Sequence, residues 1–299
     1  MGESGCGKSV TALAVLRLLD AGGTIESGSA IRLAGRELTT LPPGDMRGVR
    51  GREIALIFQE PGSALNPVLT IGDQVAEALT AHRKMRRREA WGRAVEMLRH
   101  AGMPDAEERA RQYPHQLSGG LRQRALIAMA LVCGPKLLIA DEPTTALDVT
   151  IQAEILDLIE RLRRELGMAM LLITHNLAIV AQSTARVYVM YAGQIVEQAP
   201  TAALFASPAH PYTEGLLAAI PRVDRAVARL EQIPGQVPPA TAWPQGCRFR
   251  ERCPYAWERC LEMPPLLDAG PDHSARCWLV VEPQRRAQKH LPIAAVRPS

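Results

Sequence analysis

The feature that most constrains this chain is a glycine-rich loop at its start. The loop fits the pattern G-x-x-x-x-G-K-[ST] and consists of Gly2, Glu3, Ser4, Gly5, Cys6, Gly7, Lys8 and Ser9. Small residues let successive backbone N–H groups curl around phosphate oxygens, while Lys8 reaches the β- and γ-phosphates and Ser9 suits Mg²⁺. Residues 7–19 are good helix formers, and a helix there would aim its positive N-terminal end at the phosphates. The loop predicts a nucleotide-phosphate site.

Two carboxylates follow an apolar segment further along the chain. Residues 137–140 predict a buried strand, and Asp141 and Glu142 come directly after it. Open α/β sheets bind ligands at the carboxyl ends of their strands. Hydrolysis of a phosphoanhydride needs positioning and charge stabilisation, which Asp141 on Mg²⁺ and Glu142 beside the attacking water would supply. Acidic turns after strands are also common on protein surfaces without any catalytic role. The glycine-rich loop, hereafter the phosphate loop, is what favours a catalytic role for these two carboxylates.

A second candidate anion site lies between these two segments. Ser118, Gly119 and Gly120 offer a hydroxyl and two unhindered backbone amides at the start of a helix predicted to run to about residue 132. One nucleotide site does not need two such anion sites. The pattern therefore favours a head-to-tail dimer in which Ser118 closes over the nucleotide of the other subunit. The alternative is an ordinary helix cap.

The order of predicted elements is that of an α/β fold with a helical insertion. Strands are expected over residues 53–58, 137–140 and 168–174, and a hairpin around Gly193. Helical periodicity occupies the insertion, about 71–132, with four apolar residues facing inward and four basic ones outward: Val75, Leu79, Val95 and Leu98; Lys84, Arg86, Arg87 and Arg88. No internal repeat is visible, so the chain holds one nucleotide domain.

Composition excludes several other classes of protein. At 299 residues and 47% hydrophobic the chain can bury a large core. A net charge of +4 with only 4% aromatic residues argues against nucleic acid as a partner. No run of eighteen apolar residues occurs, so any membrane association would come through a partner protein.

A second, smaller module is expected beyond residue 199, where prolines become frequent. It contains four of the six cysteines, Cys247, Cys253, Cys260 and Cys277. If the chain is cytosolic, disulfides are disfavoured and a common metal ligand is preferred. The intervals between these cysteines are longer than the C-x₂₋₄-C pairs typical of tetrahedral zinc sites. Four thiolates at wider intervals can instead hold an iron–sulfur cluster. Zinc, free thiols and bridges remain alternatives.

The order and spacing of these motifs resemble the nucleotide-binding subunit of an ATP-binding cassette (ABC) transporter. The resemblance implies a P-loop NTPase fold with a mixed sheet, and it assigns three further residues. Gln59 would touch Mg²⁺ and water and signal to the membrane subunits, Asp148 would cross the dimer interface, and His175 would contact the γ-phosphate. Two positions depart from the common pattern: Leu121 replaces a glutamine, and Asn176 replaces an acidic residue.

Several segments resemble the oligopeptide and dipeptide importers in particular, with nickel-type importers as close neighbours. They are residues 64–67, 147–150 and 208–213. The resemblance implies an ATPase that energises peptide uptake, with a second cassette, two transmembrane permease subunits and, indirectly, an extracytoplasmic solute-binding protein as partners. It places the chain on the cytoplasmic face of the inner membrane. It also favours a [4Fe–4S] cluster on the cysteines of 247–277.

The expected domains are an ABC ATPase domain over 1–199 and a proline-rich extension over 200–299. In the family a buried strand and an adenine-stacking aromatic residue precede the phosphate loop, so the natural start is expected to lie further upstream. Two rival interpretations are a soluble ABC ATPase that works outside transport and an inactive partner subunit. A soluble ABC ATPase would be expected to contain tandem cassettes or long coiled coils, and the sequence shows neither. An inactive subunit would be expected to lack catalytic residues, whereas this chain has all four expected ones: Lys8, Asp141, Glu142 and His175.

Overall fold

The computed structural model describes residues 1–58, 64–145, 147–219 and 232–289. The chain divides into two compact units. One combines the first eight residues, Met1–Lys8, with Thr174–Ser299, and the other is the continuous segment Ser9–Ile173. Residues 2–8 of the glycine-rich loop therefore belong to the same unit as the C-terminal module, whereas Ser9 begins the other unit.

Helix α1, Lys8–Val15, lies in the unit Ser9–Ile173 except for its first residue, and it is shorter than the predicted helix over 7–19. The chain leaves it at Arg17, which has a left-handed φ of +52°. The Arg17 guanidinium donates to the carbonyl oxygens of Leu38 at 3.3 Å and Leu41 at 2.5 Å. These tertiary bonds compensate the strained backbone, which is why propensity alone overestimated the helix.

A three-stranded parallel sheet forms the centre of this unit. A small antiparallel hairpin and a short helix precede it: β1 (Arg32–Leu33), β2 (Arg36–Glu37) and α2 (Pro43–Val49). The sheet has the order β3-β4-β5 and consists of β3 (Ile54–Ile57), β4 (Leu137–Asp141) and β5 (Ala169–Ile173). The three strands confirm the predicted ones. Asp141 pairs with Ile173, so the carboxyl ends of β4 and β5 lie side by side.

The helical insertion packs around its own apolar core. Its helices are α3 (Ile71–Thr80), α4 (Arg87–His100), α5 (Ala106–Ala110) and α6 (Gly119–Leu131). Val75, Leu79, Val95 and Leu98 are all buried, as the periodicity predicted. The basic residues predicted to face outward are exposed. Helix α7, Val149–Leu166, then covers the sheet with Ile155, Ile159 and Leu162.

The other unit is built on an antiparallel sheet of order β6-β7-β9-β8. Its elements are α8 (Leu177–Ser183), β6 (Arg186–Tyr191), β7 (Gln194–Pro200), α9 (Thr201–Ala206), α10 (Pro211–Ala218), β8 (Leu267–Gly270) and β9 (His273–Ala275). The hairpin of β6 and β7 turns at Ala192 and Gly193, both at positive φ, and confirms the prediction. The sequence analysis did not predict β8 and β9.

An aromatic cluster joins the hairpin to the C-terminal module. Tyr191, Tyr212 and Phe249 are fully buried, with ring centroids 4.7 to 5.4 Å apart. Each ring comes from a different segment, so the cluster ties β6, α10 and the cysteine-bearing segment into one core. Across the described ranges, no helix combines the length and the apolar character needed to cross a bilayer.

Candidate functional site

The glycine-rich loop is seated directly against β6. Gly2, Gly5 and Gly7 all have positive φ, at +154°, +78° and +105°. A Cβ added to Gly2 would lie 2.1 Å from the carbonyl oxygen of Met190, so no larger residue fits there without displacing the backbone. The predicted loop therefore has a backbone conformation and a close approach that require glycine.

Lys8 is the first residue of α1 and is almost completely buried. Its ammonium group donates to the carbonyl oxygens of Gly2 at 2.8 Å and Glu3 at 3.0 Å, so it lies inside the curl of the loop. The carbonyl oxygen of buried Cys6 accepts from the backbone N–H of Gly193 at 2.9 Å. The hairpin turn thus fixes the far side of the loop, and a cation is held where a phosphate-binding lysine is needed.

Glu3 has a partner that the sequence analysis missed. Its carboxylate accepts two hydrogen bonds from the guanidinium of Arg252, at 2.8 and 3.0 Å. The two residues are 249 positions apart in the chain. No periodicity or motif connects positions so distant, although an acidic residue inside a loop expected to bind anions was itself a signal that a cation should lie nearby.

Asp141 and Glu142 belong to the unit Ser9–Ile173 and have different environments. Asp141 ends β4 and is 8% exposed, whereas Glu142 is half-buried. Glu142 has a left-handed φ of +47°, its N–H donates to the carbonyl oxygen of Ile173 at 2.9 Å, and its carboxylate accepts from the Thr145 hydroxyl at 3.1 Å. A strained non-glycine backbone held by hydrogen bonds is typical of functional positions. Ser9, on α1 of the same unit, is exposed.

Two helix starts lie side by side in that unit. Ser118 caps α6 by accepting from the Leu121 N–H at 3.4 Å, and Asp148 caps α7 by accepting from the Ile151 N–H at 2.9 Å. A Cβ on Gly120 would come within 3.2 Å of the Ile151 side chain. Ser118, Gly119 and Asp148 are exposed. Ser118, Gly119 and Asp148, the residues of the predicted second anion site and dimer interface, therefore lie on one surface.

The predicted site residues that remain are His175 and Gln59. His175 is exposed and lies two residues beyond the end of β5. Asn176 caps α8 by accepting from the Ala178 N–H at 3.0 Å, which explains why an amide is adequate at this position. Gln59 lies outside the described residues.

The four clustered cysteines line one narrow apolar cavity. All four are unbridged, and burial raises the pKa of each thiol, to about 11 for Cys247 and about 12 for Cys277. In the described part of the chain, no group of three or more His, Cys, Asp or Glu side chains is arranged to hold a metal ion. The predicted clustering of the thiols is present, whereas a preformed centre for one ion is not.

Comparison with known proteins identifies the family. The family model described as ABC transporter matches residues 1–145, and the model described as oligopeptide/dipeptide transporter, C-terminal region, matches residues 196–260. A putative peptide import ATP-binding protein of Brucella melitensis biotype 1 is 53% identical over 290 residues, covering 93% of this chain and 86% of the relative. The chain belongs to the ABC transporter family.

A second relative and two solved structures agree with this membership. The oligopeptide transport ATP-binding protein AppD of Bacillus subtilis is 50% identical over 284 residues, and the match covers 94% of this chain and 86% of the relative. The dimeric ATP-binding cassette MJ0796 with ADP and phosphate has a TM-score of 0.58 at 28% identity over 67% of this chain and 83% of that one. CbiO1 of Clostridium perfringens has a TM-score of 0.59 at 28% identity over 69% and 78%.

Family membership confirms the predicted α/β cassette fold and its nucleotide chemistry. The chain is an ATP-binding subunit of an ABC transporter, with ATP and Mg²⁺ as its ligands.

Proposed function

We propose that this chain binds and hydrolyses Mg-ATP to drive the import of peptides across a membrane. The observation that carries the proposal is the loop from Gly2 to Lys8, whose glycine conformations and enclosed ammonium group fit a triphosphate. The names of the relatives, which are peptide import and oligopeptide transport ATP-binding proteins, support peptides as the transported class.

In the proposed mechanism the loop binds the triphosphate and Lys8 neutralises the β- and γ-phosphates. The donor set fits a divalent cation, since Asp141 is a nearly buried carboxylate at a strand end and Ser9 offers an exposed hydroxyl. Mg²⁺ supplies charge neutralisation on the phosphates when it is bound. Gln59 is assigned to that cation and the attacking water.

Glu142 is assigned to orient that water and accept its proton. Its carboxylate is already positioned by Thr145, and its strained backbone is held by β5. His175 is assigned to the γ-phosphate. We assign Ser118, Gly119, Gly120 and Asp148 to the nucleotide of a second cassette, which makes the working unit a dimer; all but the half-buried Gly120 are exposed.

The decisive substitution is Glu142→Gln. Loss of water activation should slow ATP hydrolysis at least about a hundredfold while Mg-ATP binding is preserved. Phosphate release and equilibrium nucleotide binding are measured on the same preparation. Glu165→Gln, an exposed position on α7, is the matched control and should leave both unchanged. Normal turnover in Glu142→Gln would remove Glu142 from this role.

The proposed partners are a second cassette, two permease subunits and an extracytoplasmic solute-binding protein, with this chain peripheral on the cytoplasmic face of the inner membrane. Proteoliposomes containing the reconstituted complex test the substrate class. ATP-dependent accumulation of a labelled oligopeptide is expected. Accumulation of nickel ions instead, with no peptide uptake, would replace peptide import by metal import.

We also infer that the cysteines of 247–277 hold an iron–sulfur cluster. The donor set fits, because three buried cysteines and the half-buried Cys247 line one cavity. A zinc ion would require several of these sulfurs around a single ion. In a [4Fe–4S] cluster each iron takes one cysteine thiolate, so the four thiols can lie further apart. Cys247, Cys253, Cys260 and Cys277 would be the ligands, and the cluster would supply structural cross-linking of the C-terminal module.

Anaerobic purification tests this assignment. Iron and acid-labile sulfide are expected at about four of each per chain, together with visible absorption that Cys253→Ser abolishes. Cys133→Ser is the control, since Cys133 lies on the other unit, at the end of the helical insertion. Zinc in place of iron, or a metal-free chain with unchanged stability, would contradict the cluster.

A further inference from the structure

An acidic residue in a loop that binds a triphosphate poses an electrostatic problem. Glu3 lies between two of the loop glycines, and a free carboxylate there would repel the phosphates and attract the ammonium group of Lys8. At a separation of about 6 Å and an effective dielectric constant near 20, one such pair of charges interacts by several RT. A cationic partner for Glu3 would remove this repulsion.

Arg252 does so from the C-terminal module. Its guanidinium binds both carboxylate oxygens of Glu3, and the arginine side chain is only 3% exposed while that of Glu3 is 34% exposed. A two-pronged pair of this kind fixes orientation as well as charge. Arg252 is therefore the counter-charge of the loop carboxylate.

The guanidinium is itself held rigidly. It donates to the carbonyl oxygens of Pro234 at 2.8 Å and Ile233 at 3.3 Å, and to the hydroxyl of Tyr191 at 3.4 Å. Burial by itself lowers the pKa of Arg252, but the bonds to Glu3 and Tyr191 outweigh it and the pKa is raised. The arginine remains charged in its buried position, and its place depends on the C-terminal module.

A second contact fixes the backbone at the same residue. The N–H of Glu3 donates to the hydroxyl of Tyr212 on α10 at 2.8 Å, while its carbonyl oxygen accepts from Lys8. Every polar group of Glu3 is thus engaged, and the partners outside the loop come from the segment beyond residue 190. The lysine that would bind phosphate is the third member of this network.

We propose that Arg252 is a positioning residue of the nucleotide site, which holds the Glu3 carboxylate neutralised so that the loop and Lys8 can accept a triphosphate. The inference rests on the proposed function and extends it: nucleotide affinity depends on the C-terminal module through this ion pair. The segment concerned, Arg250–Arg252, immediately precedes Cys253, so changes at the thiols have a direct route to the phosphate loop.

The experiment measures the dissociation constant for Mg-ATP in four forms of the purified chain: the native sequence, Arg252→Met, Glu3→Gln and the double variant. Methionine keeps the length of the arginine stem without its charge. Arg252→Met should weaken Mg-ATP binding at least about tenfold, because the carboxylate is left uncompensated. Adding Glu3→Gln should restore affinity to within about threefold of the native value, since the repulsive charge is gone.

Thermal unfolding of each form separates this role from simple bracing of the fold. A purely structural arginine predicts that the double variant binds no more tightly than Arg252→Met, and that result would overturn the proposal, as would native affinity in Arg252→Met. Arg259→Met, whose ion pair with Glu282 lies elsewhere in the same module, is the matched control and should bind Mg-ATP normally.

If Arg252→Met does not fold, Arg252→Lys replaces it. Lysine keeps the charge but loses the two-pronged geometry, and its smaller loss of affinity should again be recovered by Glu3→Gln; absence of both the loss and the recovery would contradict the proposal. Failure of the native chain to bind Mg-ATP would instead refute the proposed function. The two failures are therefore distinguishable.

Discussion

Glu197 is a glutamate in the interior of the protein, where charged side chains are uncommon. It is completely buried on β7, and both its carboxylate oxygens are used. One accepts from the N–H of Ala209 at 2.7 Å and lies 2.7 Å from the imidazole Nε2 of His273, and the other accepts from the N–H of His210 at 3.0 Å. A buried carboxylate of this kind is tolerated only because every acceptor is satisfied.

Glu197→Gln should therefore destabilise the protein although it removes a buried charge. The amide nitrogen would face an N–H donor and leave at least one buried group unpaired, at a cost of about 1–3 kcal/mol. Urea unfolding measures the difference. Glu214→Gln is the control, since Glu214 is about one-third exposed and should change stability less. Equal effects of the two variants would show that the Glu197 network is not special.

At the same scale, the helix start at Ser118 was predictable because a helix cap is local. Ser118 caps the helix that begins one residue later, whereas the cap formed by Asp148 was not predicted. The positive φ of Glu142 was not predictable, because it depends on a hydrogen bond to β5. Neither was the role of Arg252.

At the scale of elements, the contact between α3 and α4 depends on a glycine. A Cβ at Gly72 would lie 2.5 Å from the ring of Trp91 and 3.0 Å from the side chain of Ala110. The glycine is buried within α3, where it lowers helix propensity but permits the close approach of its neighbours. Packing, not propensity, explains its presence.

Gly72→Ala should destabilise the protein by about 1–3 kcal/mol, because overpacking outweighs the gain in propensity. Gly92→Ala is the matched variant. It lies on α4 with no atom within 4 Å of the added Cβ, and it should stabilise by up to about 1 kcal/mol. Chemical denaturation of the two variants gives the comparison. A stabilised Gly72→Ala would show that Trp91 moves aside freely.

Element type was predicted well where one periodicity runs through a segment. The apolar spacing of the helical insertion gave its buried face correctly, although the segment 71–111 divides into three helices. Strands β8 and β9 escaped prediction because they are short. Strand β9 pairs with β7, as in Glu197 with Ala275, and β8 pairs with β9; both pairings are set by register and not by an alternating pattern within the strands.

At the scale of the whole molecule, one of the two compact units combines residues from both ends of the chain. The first eight residues pack with the segment from Thr174 onward, and the intervening 165 residues from Ser9 to Ile173 form the other unit. The proposed boundary near residue 199 follows the change in proline content, whereas the sheet β6-β7-β9-β8 continues across it. The C-terminal module is thus part of the sheet that supports the phosphate loop.

The sequence by itself determined the motifs whose parts are neighbours in the chain: the glycine loop, the carboxylates after β4 and the helix start at Ser118. Each follows from the conformational limits of a few adjacent residues. Only the tertiary structure decided that Arg252 neutralises Glu3 and that Glu197 joins His273. The members of those pairs are 249 and 76 residues apart in the chain. A charged residue in the sequence indicates that a partner is needed when it is buried, but only the folded chain shows which residue that partner is.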